Sequence, residues 1–367
     1  MKIIKNKKTI FLTGATGLVG SHLLKTFLKN GHRVYVLARE RNYKKAKDRV
    51  TGIVDFWDRH VLRKNSDNLF VCEGDVTEEG LGLNERQREI LKDSVEEIVH
   101  AAAITDLNLP LHEIQKVNVE GTRNVLELAS VINQSAKFLR VNHISTAYLY
   151  GDFKGVFTEN SLDVRQRFAN NYEETKFKGE LLVEEYRKKG LWVDIYRPSI
   201  VVGDSQSGKN FQFKHIYQFI ELCRTELFDS LPLRGCSVSL VPVDLLSEAI
   251  YKIWSNTKER SKTYHPFPQQ RISVSFFIDM AAELLNFKTP RLVALDDFRL
   301  QDLTPAQQAI LKNSILSVNF KAHPDSSATN AILKKFHFTF SEIDNKMLTR
   351  ILQYYFRKKE SKVLIGV

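Results

Sequence analysis

The stretch Thr13-Gly14-Ala15-Thr16-Gly17-Leu18-Val19-Gly20 decides the fold of this chain. It follows the apolar run Ile10-Phe11-Leu12 and leads into a segment with helical periodicity. In such a strand–turn–helix unit, glycine permits a tight turn, close approach of a pyrophosphate, and close packing of helix on strand. Unpaired N–H groups at the helix N-terminus then face the phosphates. We therefore predict a dinucleotide-binding turn whose binding residues are Gly14, Thr16, Gly17, Leu18, Val19 and Gly20.

Two kinds of segment alternate through the first half of the chain. Short apolar runs predict strands at residues 9–13, 33–38, 69–73, 97–100, 137–145 and 192–197. Helical periodicity lies between them, at residues 20–30, 42–64, 84–93, 117–133 and 172–189. Strands that alternate with helices in this way form a parallel sheet with helices on both faces. The predicted fold class is α/β, with a doubly wound parallel sheet of the Rossmann type.

The alternation weakens after residue 203. We predict a helix at 215–224, a strand followed by a helix at 239–255, and mainly helices from 271 onward. The last helix has an apolar face made by Met347, Leu348, Ile351, Leu352, Tyr355 and Phe356. We expect a cofactor-binding core over residues 1–203, to which residues 239–266 return. Residues 204–238 and 267–367 are expected to form a smaller, mainly helical substrate-binding lobe.

The end of the second predicted strand bears on the choice of cofactor. The strand ends at Ala38 and is followed by Arg39, and the first carboxylate is that of Glu40. A site specific for NAD places an acidic residue near this point to bind the ribose 2′-hydroxyl. Arginine instead offers a planar, permanently charged group that suits a 2′-phosphate. The sequence therefore favours NADPH over NADH.

A tyrosine four residues before a lysine puts both side chains on one face of a helix, where they can act as an acid–base pair. The spacing occurs at Tyr43/Lys47, Tyr150/Lys154, Tyr172/Lys176, Tyr354/Lys358 and Tyr355/Lys359. Only Tyr172 opens a long predicted helix after the fifth strand, which itself ends near the hydroxyl residues Ser145 and Thr146. We predict that Tyr172 donates a proton and that Thr146 donates a hydrogen bond to a developing oxyanion. Lys176 and the nicotinamide cation together are expected to lower the pKa of Tyr172. The alternative is a solvated pair on a surface helix.

Composition excludes several other classes of protein. The 367 residues are 43% apolar and 26% charged, which is ordinary for a folded protein and unlike a disordered chain. No run approaches the roughly 18 apolar residues of a membrane span, and the N-terminus has no secretory cleavage pattern. Three cysteines form neither a CxxC pair nor an even framework, so we expect a reducing cytoplasm. HExxH is absent, and we expect no metal site.

The net charge of +11 suits anionic partners in general. The sequence contains no helix-turn-helix, zinc-finger or RNA-reading motif, so we expect no nucleic acid partner. The basic C-terminal segment with Arg357, Lys358 and Lys359 is expected to pack in the lobe rather than to contact a membrane.

Taken together, these segments resemble the extended short-chain dehydrogenase/reductase superfamily over about the first 265 positions. The matching segments are residues 13–20, 74–76, 100–103 and 118–122, Ser145-Thr146, Tyr172/Lys176 and residues 196–203. Within that superfamily, four features are similar to the branch of thioester reductases and fatty acyl-CoA reductases. They are the stretch GDVTEEGLGL at 74–83, the long helix after Arg39, RPSIVVGD at 197–204 and VPVD at 241–244.

The resemblance implies further cofactor-binding residues. Asp75 and Val76 should border the adenine, and Ala101, Ala102 and Ala103 should line the cofactor. Pro198, Ser199 and Val202 should lie near the nicotinamide, whose ribose Lys176 should hold. Asn118, Ser145 and Tyr172 complete the expected cofactor site. The C-terminal lobe is expected to form the acyl site.

The expected function is NADPH-dependent reduction of an acyl thioester, carried on coenzyme A or an acidic acyl carrier protein, to an aldehyde or alcohol. Because the chain begins at the glycine-turn strand, we expect the carrier or coenzyme A to come from outside. Alternatives of the same fold are a ketone or 3β-hydroxy reductase and a nucleotide-sugar epimerase or dehydratase. A non-catalytic regulator that senses a dinucleotide is an alternative of another class. The acyl chain and the oligomeric state are left open.

Overall fold

The computed structural model describes residues 7–107, 109–134, 139–312, 314–315 and 322–365. The chain folds into two compact units. The first contains Met1–Leu149, Asn171–Arg197 and Ser247–Tyr264, and the second contains Tyr150–Asn170, Pro198–Leu246 and His265–Val367.

In chain order, the strands are β1 Thr9–Thr13, β2 Arg33–Ala38, β3 Leu69–Glu73, β4 Glu97–His100, β5 Arg140–Ile144, β6 Gly155–Phe157, β7 Trp192–Tyr196, β8 Ile200–Val202, β9 Ser230–Leu231, β10 Ser237–Pro242, β11 Thr263–Tyr264, β12 Arg271–Ser273, β13 Arg291–Leu292 and β14 Ala322–Pro324. The α-helices are α1 Leu18–Lys29, α2 Ala46–Asn65, α3 Glu85–Ser94, α4 Leu111–Gln115, α5 Gly121–Asn133, α6 Asn171–Lys188, α7 Ile216–Arg224, α8 Val243–Asn256, α9 Val274–Leu285, α10 Pro305–Lys312, α11 Ser327–Lys335 and α12 Asn345–Ile365. A π-helical turn, Lys116–Glu120, joins α4 to α5.

A parallel sheet organises the first unit. Within the described residues it has seven strands in the order β11-β7-β5-β4-β1-β2-β3, and every neighbouring pair is parallel. Strand order reverses beside β1, which is the arrangement of a doubly wound Rossmann sheet. The predicted fold class is thus confirmed. Ligands of such sheets bind beyond the carboxyl ends of the strands, near this reversal.

Apolar side chains on both faces of the sheet explain why its strands are buried. One face packs against α5 and α6 through residues such as Ile98, Val125 and Val183, all fully buried. The other face carries α1 and α2, which a hydrogen bond of 2.8 Å from Trp57 Nε1 to Ser21 Oγ joins. Because both faces are covered, β1 is an almost continuous apolar run. The central strands β4, β5 and β7 also bury polar side chains, such as Glu97, Arg140 and Asp194.

Several sequence predictions needed adjustment at their edges. The helix predicted at 42–64 begins at Ala46, because Arg41 to Lys44 form a turn in which Asn42 and Tyr43 have positive φ. The fifth strand covers Arg140–Ile144, and residues 137–138 of its predicted span lie outside the described residues. The two-residue strand β11 was not predicted, because so short a segment carries no periodicity.

The second unit contains small sheets and most of the later helices. Its strands pair as β12-β10-β8, β13-β9 and β14-β6. All six apolar-face residues predicted for the last helix are buried in α12, with Leu352 fully so. This unit also takes in residues 150–170 and 198–203, which the predicted boundaries assigned to the core.

Helices α2, α6 and α12 are the longest of the described chain. None of the helices in the described ranges is long and apolar enough to cross a membrane.

Candidate active site

The glycine turn lies between β1 and α1, where two of its glycines are required by packing. Gly14 has φ +74°, and a Cβ there would lie 2.4 Å from the backbone of Ala101. A Cβ at Gly20 would lie 2.2 Å from the carbonyl oxygen of Gly14. Gly17 differs, because its Cβ would meet only the Gly14 oxygen, at 3.3 Å. Gly17 is thus less crowded by the protein than Gly14 or Gly20, and a glycine there leaves room for a phosphate to approach the backbone.

The N-terminus of α1 is open to an anion. Its cap residue is Gly17, no side chain caps the first turn, and that turn holds no acidic residue. The first N–H groups of a helix lack partners within the helix and carry its positive end, so they favour a phosphate. Thr16 lies in the turn, and Leu18 and Val19 begin the helix.

Three arginines gather at the end of β2. Arg39, half-exposed, forms an ion pair of 2.6 Å with Asp75, which follows β3. Arg49 of α2 donates to the carbonyl oxygen of Arg39 and lies 3.4 Å from Thr16 Oγ1. Partial burial lowers the pKa of Arg49, and the charges of Arg41 and Arg39 lower it further. The sequence did not single out Arg49. The only indication of such a residue was the unusually long, basic helix predicted after Arg39.

The Asp75 carboxylate is fixed on both oxygens. Its Oδ2 accepts from Arg39, and its Oδ1 accepts from the backbone and hydroxyl of Thr77, at 3.0 and 3.1 Å. Burial alone would raise the pKa of Asp75, but these hydrogen bonds outweigh it and the net shift is downward. Val76 is buried beside Asp75. Asp75 is therefore held as an anion just beyond the carboxyl end of β3.

The residues after β4 are held by Asn118, which lies in the π-helical turn. Asn118 Oδ1 accepts from Ile104 N at 2.8 Å, and Asn118 Nδ2 donates to Ile104 O at 3.0 Å and to Thr175 Oγ1 at 3.1 Å. The segment Ala101 to Ala103 thus lies between β4 and an anchored backbone. In the structure Asn118 acts on the protein itself, positioning this segment against α6.

The predicted catalytic residues meet at the carboxyl end of β5. Thr146 and Tyr172 share a side-chain hydrogen bond. Lys176 is buried, and its Nζ donates to Ile144 O at 2.9 Å. Of the five tyrosine–lysine spacings, Tyr172/Lys176 therefore lies where the sequence placed it, on the first two turns of α6.

Burial has the largest effect on the pKa values at this position. It raises the pKa of Tyr172 to about 12, against the opposing hydrogen bond from Thr146, with a further rise from Glu173. Burial lowers the pKa of Lys176 to about 8, although the charge of Glu180 opposes it. The predicted lowering of the Tyr172 pKa involves the nicotinamide cation as well as Lys176, and it stays a prediction. Tyr172 is held as a protonated phenol, the form that can donate a proton.

The hydroxyl of Ser145, which was expected to bind the cofactor, instead bonds a protein side chain. Its Oγ donates to Glu180 Oε2 at 2.6 Å, and Glu180 also pairs with Arg197. Sequence reasoning missed Glu180, whose only signal was its place four residues after Lys176 on the same helix face.

Pro198, Ser199 and Val202 belong to the second unit. Val202 is the last residue of β8. The hydroxyl of Ser199 is buried and has no hydrogen-bond partner in the described part of the chain. A buried, unsatisfied hydroxyl is costly, so this one is suited to a ligand that completes its bonding.

Within the first unit, these residues fit a nicotinamide dinucleotide. The open glycine turn suits the pyrophosphate, and the arginines beside it supply positive charge. In the described ranges, no group of three or more His, Cys, Asp or Glu side chains could hold a metal ion.

Comparison with known proteins gives the class. The family model described as "Male sterility protein", an NAD-binding family, matches residues 12–250. This match spans more than half of the chain, so the chain belongs to that family. It is thus a member of the extended short-chain dehydrogenase/reductase superfamily, as its motifs predicted.

Among individual proteins, the chain is similar to an adenylate-forming reductase, Nps9 of Serpula lacrymans. The two are 30% identical over 253 residues, which cover 67% of this chain and 22% of that protein. The terminal R domain of the myxalamid PKS-NRPS pathway has a TM-score of 0.80 at 22% identity, covering 97% of this chain and 92% of that one. A thiolation-reductase di-domain of an archaeal non-ribosomal peptide synthetase has a TM-score of 0.79 at 22% identity, covering 97% and 76%.

The chain spans about a fifth to a quarter of the length of the first curated relatives it matches, with shares of 22%, 21% and 24%. At 22% identity, the two solved structures establish the shared fold.

Proposed function

We propose that this protein is an NADPH-dependent reductase that converts an acyl thioester to an aldehyde or alcohol. The observation that carries this proposal is the meeting of Thr146, Tyr172 and Lys176 at the carboxyl end of β5, beyond an open glycine turn. Membership of an NAD-binding family and similarity to an adenylate-forming reductase support it.

The chemistry follows from the side chains. Bound NADPH would supply a hydride to the carbonyl carbon of the thioester. Thr146 and Tyr172 donate hydrogen bonds to the carbonyl oxygen as negative charge develops on it. Tyr172 then transfers its proton to that oxygen, which gives a hemithioacetal. Breakage of the carbon–sulfur bond releases a thiol and an aldehyde, and reduction of the aldehyde in a second cycle would give the alcohol.

Lys176 supports this proton transfer by its charge. An ammonium near a phenol favours the phenolate left after the proton is lost. Because Lys176 is buried, little water screens that effect. In the protein alone the pKa of Tyr172 is raised to about 12 by burial. We infer that the positive charge of the oxidised nicotinamide, together with Lys176, brings this pKa down during the reaction.

A preference for NADPH over NADH is part of the proposal. Arg39 and Arg49 supply two guanidinium groups beside the turn, and Arg41 adds a third charge nearby. An acidic residue for a 2′-hydroxyl would have to be Glu40, which is exposed and follows Arg39. The cluster of positive charge therefore supports a 2′-phosphate as ligand.

The thioester is proposed to be carried on coenzyme A or on an acyl carrier protein. The net charge of +11 suits the phosphates of the one and the acidic surface of the other. We also propose a reducing, cytoplasmic location, supported by the free thiols of Cys72, Cys223 and Cys236.

The test is NADPH oxidation, followed by its absorbance, with a panel of acyl-CoAs and acylated carrier proteins. Tyr172→Phe should lower kcat by about 10²- to 10⁴-fold with little change in NADPH binding, because it removes only the proton donor. The matched control is Tyr43→Phe, the same change at a tyrosine–lysine spacing where the tyrosine is fully exposed. It should leave turnover unchanged.

Two results would contradict the proposal. Turnover of a free ketone with no thioester reduced would assign the protein to the ketone reductases of this fold. Equal turnover by wild type and Tyr172→Phe would remove Tyr172 from the reaction.

A further inference from the structure

The hydrogen bonds of Glu180 link three parts of the first unit. Its Oε2 accepts from Ser145 Oγ at 2.6 Å, just after β5. Its Oε1 accepts from Arg197 Nε at 2.9 Å, just after β7, and from a terminal nitrogen of the same guanidinium. The Glu180 side chain is fully buried and that of Arg197 nearly so. A carboxylate in such a place is costly unless every oxygen is bonded, and here both are.

Glu180 also completes a regular series along α6. Tyr172, Lys176 and Glu180 are spaced four residues apart and lie on one helix face. Each bonds one of three consecutive residues at the carboxyl end of β5: Tyr172 bonds the hydroxyl of Thr146, Lys176 the carbonyl of residue 144, and Glu180 the hydroxyl of residue 145. The catalytic groups thus form two members of the series, and Glu180 forms the third.

We propose that Glu180 is a positioning residue of the Tyr172 site, which aligns Thr146 with Tyr172 through Ser145 and keeps a negative charge beside Lys176. The inference rests on the proposed function insofar as it concerns turnover. Its two actions can be separated, since Ser145→Ala removes the hydrogen bond and leaves the charge. Glu180→Gln removes the charge and leaves an acceptor for Ser145.

The charge at Glu180 acts among several other ionisable groups. Lys176 interacts electrostatically with His100 from β4, His143 from β5 and Glu180 from α6. Two arginines also interact with Glu180: Arg197 pairs with it directly, and the Glu180 charge opposes the effect of burial, which lowers the pKa of Arg187. Burial, aided by Lys176, lowers the pKa of His100 to about 3 and that of His143 well below its ordinary value, so both are neutral near pH 7. Glu180 raises the pKa of Lys176 against the effect of burial.

The first experiment compares the pH dependence of NADPH binding, by nucleotide fluorescence, with that of kcat/KM. In Glu180→Gln the alkaline limb of both profiles should move down by about one pH unit or more, because Lys176 loses its proton sooner. The matched control is Glu184→Gln, one turn further along α6, where the carboxylate is partly exposed and pairs with Arg187. Its profiles should overlay those of the wild type.

The second experiment uses Ser145→Ala, which leaves the Glu180–Arg197 pair intact and therefore guards against misfolding of Glu180→Gln. We expect kcat to fall about tenfold with KM unchanged, because Thr146 loses its alignment. Hydrogen exchange of the amides at 144–148 should quicken about tenfold, which is a readout without turnover.

The outcomes separate this inference from the proposed function. Suppose that the wild type reduces no thioester but the alkaline limb of NADPH binding shifts in Glu180→Gln. The proposed reaction is then wrong, and the positioning role of Glu180 stands. If the wild type is active and the alkaline limbs of NADPH binding and of kcat/KM do not move in Glu180→Gln, the charge of Glu180 has no role. Unchanged kcat and hydrogen exchange in Ser145→Ala would overturn the alignment.

Discussion

Gly179 offers a test of how tightly the catalytic helix packs. It lies inside α6, between the turns that carry Lys176 and Glu180. A Cβ at Gly179 would lie 2.8 Å from the carbonyl oxygen of Asn118, about 0.6 Å closer than an ordinary contact of 3.4 Å. That oxygen cannot easily retreat, because it already accepts from Thr122 Oγ1 at 2.8 Å. Gly179→Ala must therefore push α6 away from the π-helical turn.

The same substitution at Gly52 provides the reference. Gly52 lies inside α2, is exposed, and a Cβ there would meet nothing within 4 Å. Gly52→Ala should stabilise the first unit by about 1 kcal/mol, the difference in helix propensity. Gly179→Ala gains the same amount but incurs an overpacking cost of about 1–3 kcal/mol. We expect it to be roughly neutral to about 2 kcal/mol destabilising.

The assay is urea unfolding followed by tryptophan fluorescence. The chain has three tryptophans, Trp57, Trp192 and Trp254, and all are buried in the first unit. Their emission therefore reports the unit that contains both glycines. The difference between the two variants gives the overpacking cost directly, since the propensity gain cancels.

Activity provides a second reading of the same displacement. A misplacement of about 1 Å can cost about 10²-fold in rate, so a shift of about 0.6 Å should lower kcat about tenfold in Gly179→Ala. Gly52→Ala should keep the rate of the wild type. Equal stabilisation of both variants would refute the argument, because it would mean that α6 does not press on Asn118.

Three further predictions concern cofactor choice and pH. Arg49→Gln should weaken NADPH binding by about 10- to 100-fold and leave NADH binding unchanged, as the loss of one charge-assisted hydrogen bond implies. The control is Arg59→Gln, at an exposed site on the same helix, which should change the binding of neither nucleotide. Equal loss of affinity for both nucleotides in Arg49→Gln would contradict this role. The pKa of Lys176 is lowered to about 8 in the folded state. Between about pH 8 and 10.5, the unfolded chain therefore binds a proton that the folded protein has lost. The free energy of unfolding should rise with pH in this range, by up to about 1.4 kcal/mol per pH unit relative to Lys176→Met. The pKa of His100 is lowered to about 3. The free energy of unfolding should therefore fall as the pH drops below about 6.5, more steeply in the wild type than in His100→Gln. Either pH prediction would be contradicted if the urea midpoints of wild type and variant changed in parallel with pH.

Local sequence signals predicted the parts of the site that depend on local structure. The glycine turn, Tyr172 and Lys176 each belong to one strand–turn–helix unit, where spacing fixes geometry. Arg39 follows β2 and Asp75 follows β3, and these neighbouring parallel strands bring the two side chains together. The place of Arg39 after a predicted strand was enough to single it out, whereas Asp75 was expected only from the family resemblance.

Long-range partners could not be predicted in this way. Glu180 looks like one of several glutamates on a charged helix, and its partners lie 35 and 17 residues away. Arg49 reaches Thr16 across 33 residues, and only the length of the basic helix hinted at it. The raised pKa of Tyr172 likewise depends on how deeply α6 packs, which periodicity does not report. Buried polar contacts of this kind are set by tertiary packing.

A buried chain of hydrogen bonds joins the glycine turn to the first turn of α6. Thr13 Oγ1 bonds His100 Nδ1 at 2.8 Å, and His100 Nε2 bonds Thr122 Oγ1 at 3.1 Å. The chain continues from Thr122 to Asn118 O, from Asn118 to Thr175 Oγ1, and from Thr175 to the carbonyl of Tyr172.

Apolar side chains would fill this space without the cost of burying polar groups. Hydrogen bonds, however, fix direction as well as distance, and a satisfied network specifies one arrangement of the core. His100 suits the middle position, because a neutral imidazole donates from one ring nitrogen and accepts at the other. Its pKa, lowered to about 3, keeps it neutral across the physiological range. The turn that would hold the pyrophosphate and the helix that carries Tyr172 are thereby held in one fixed register.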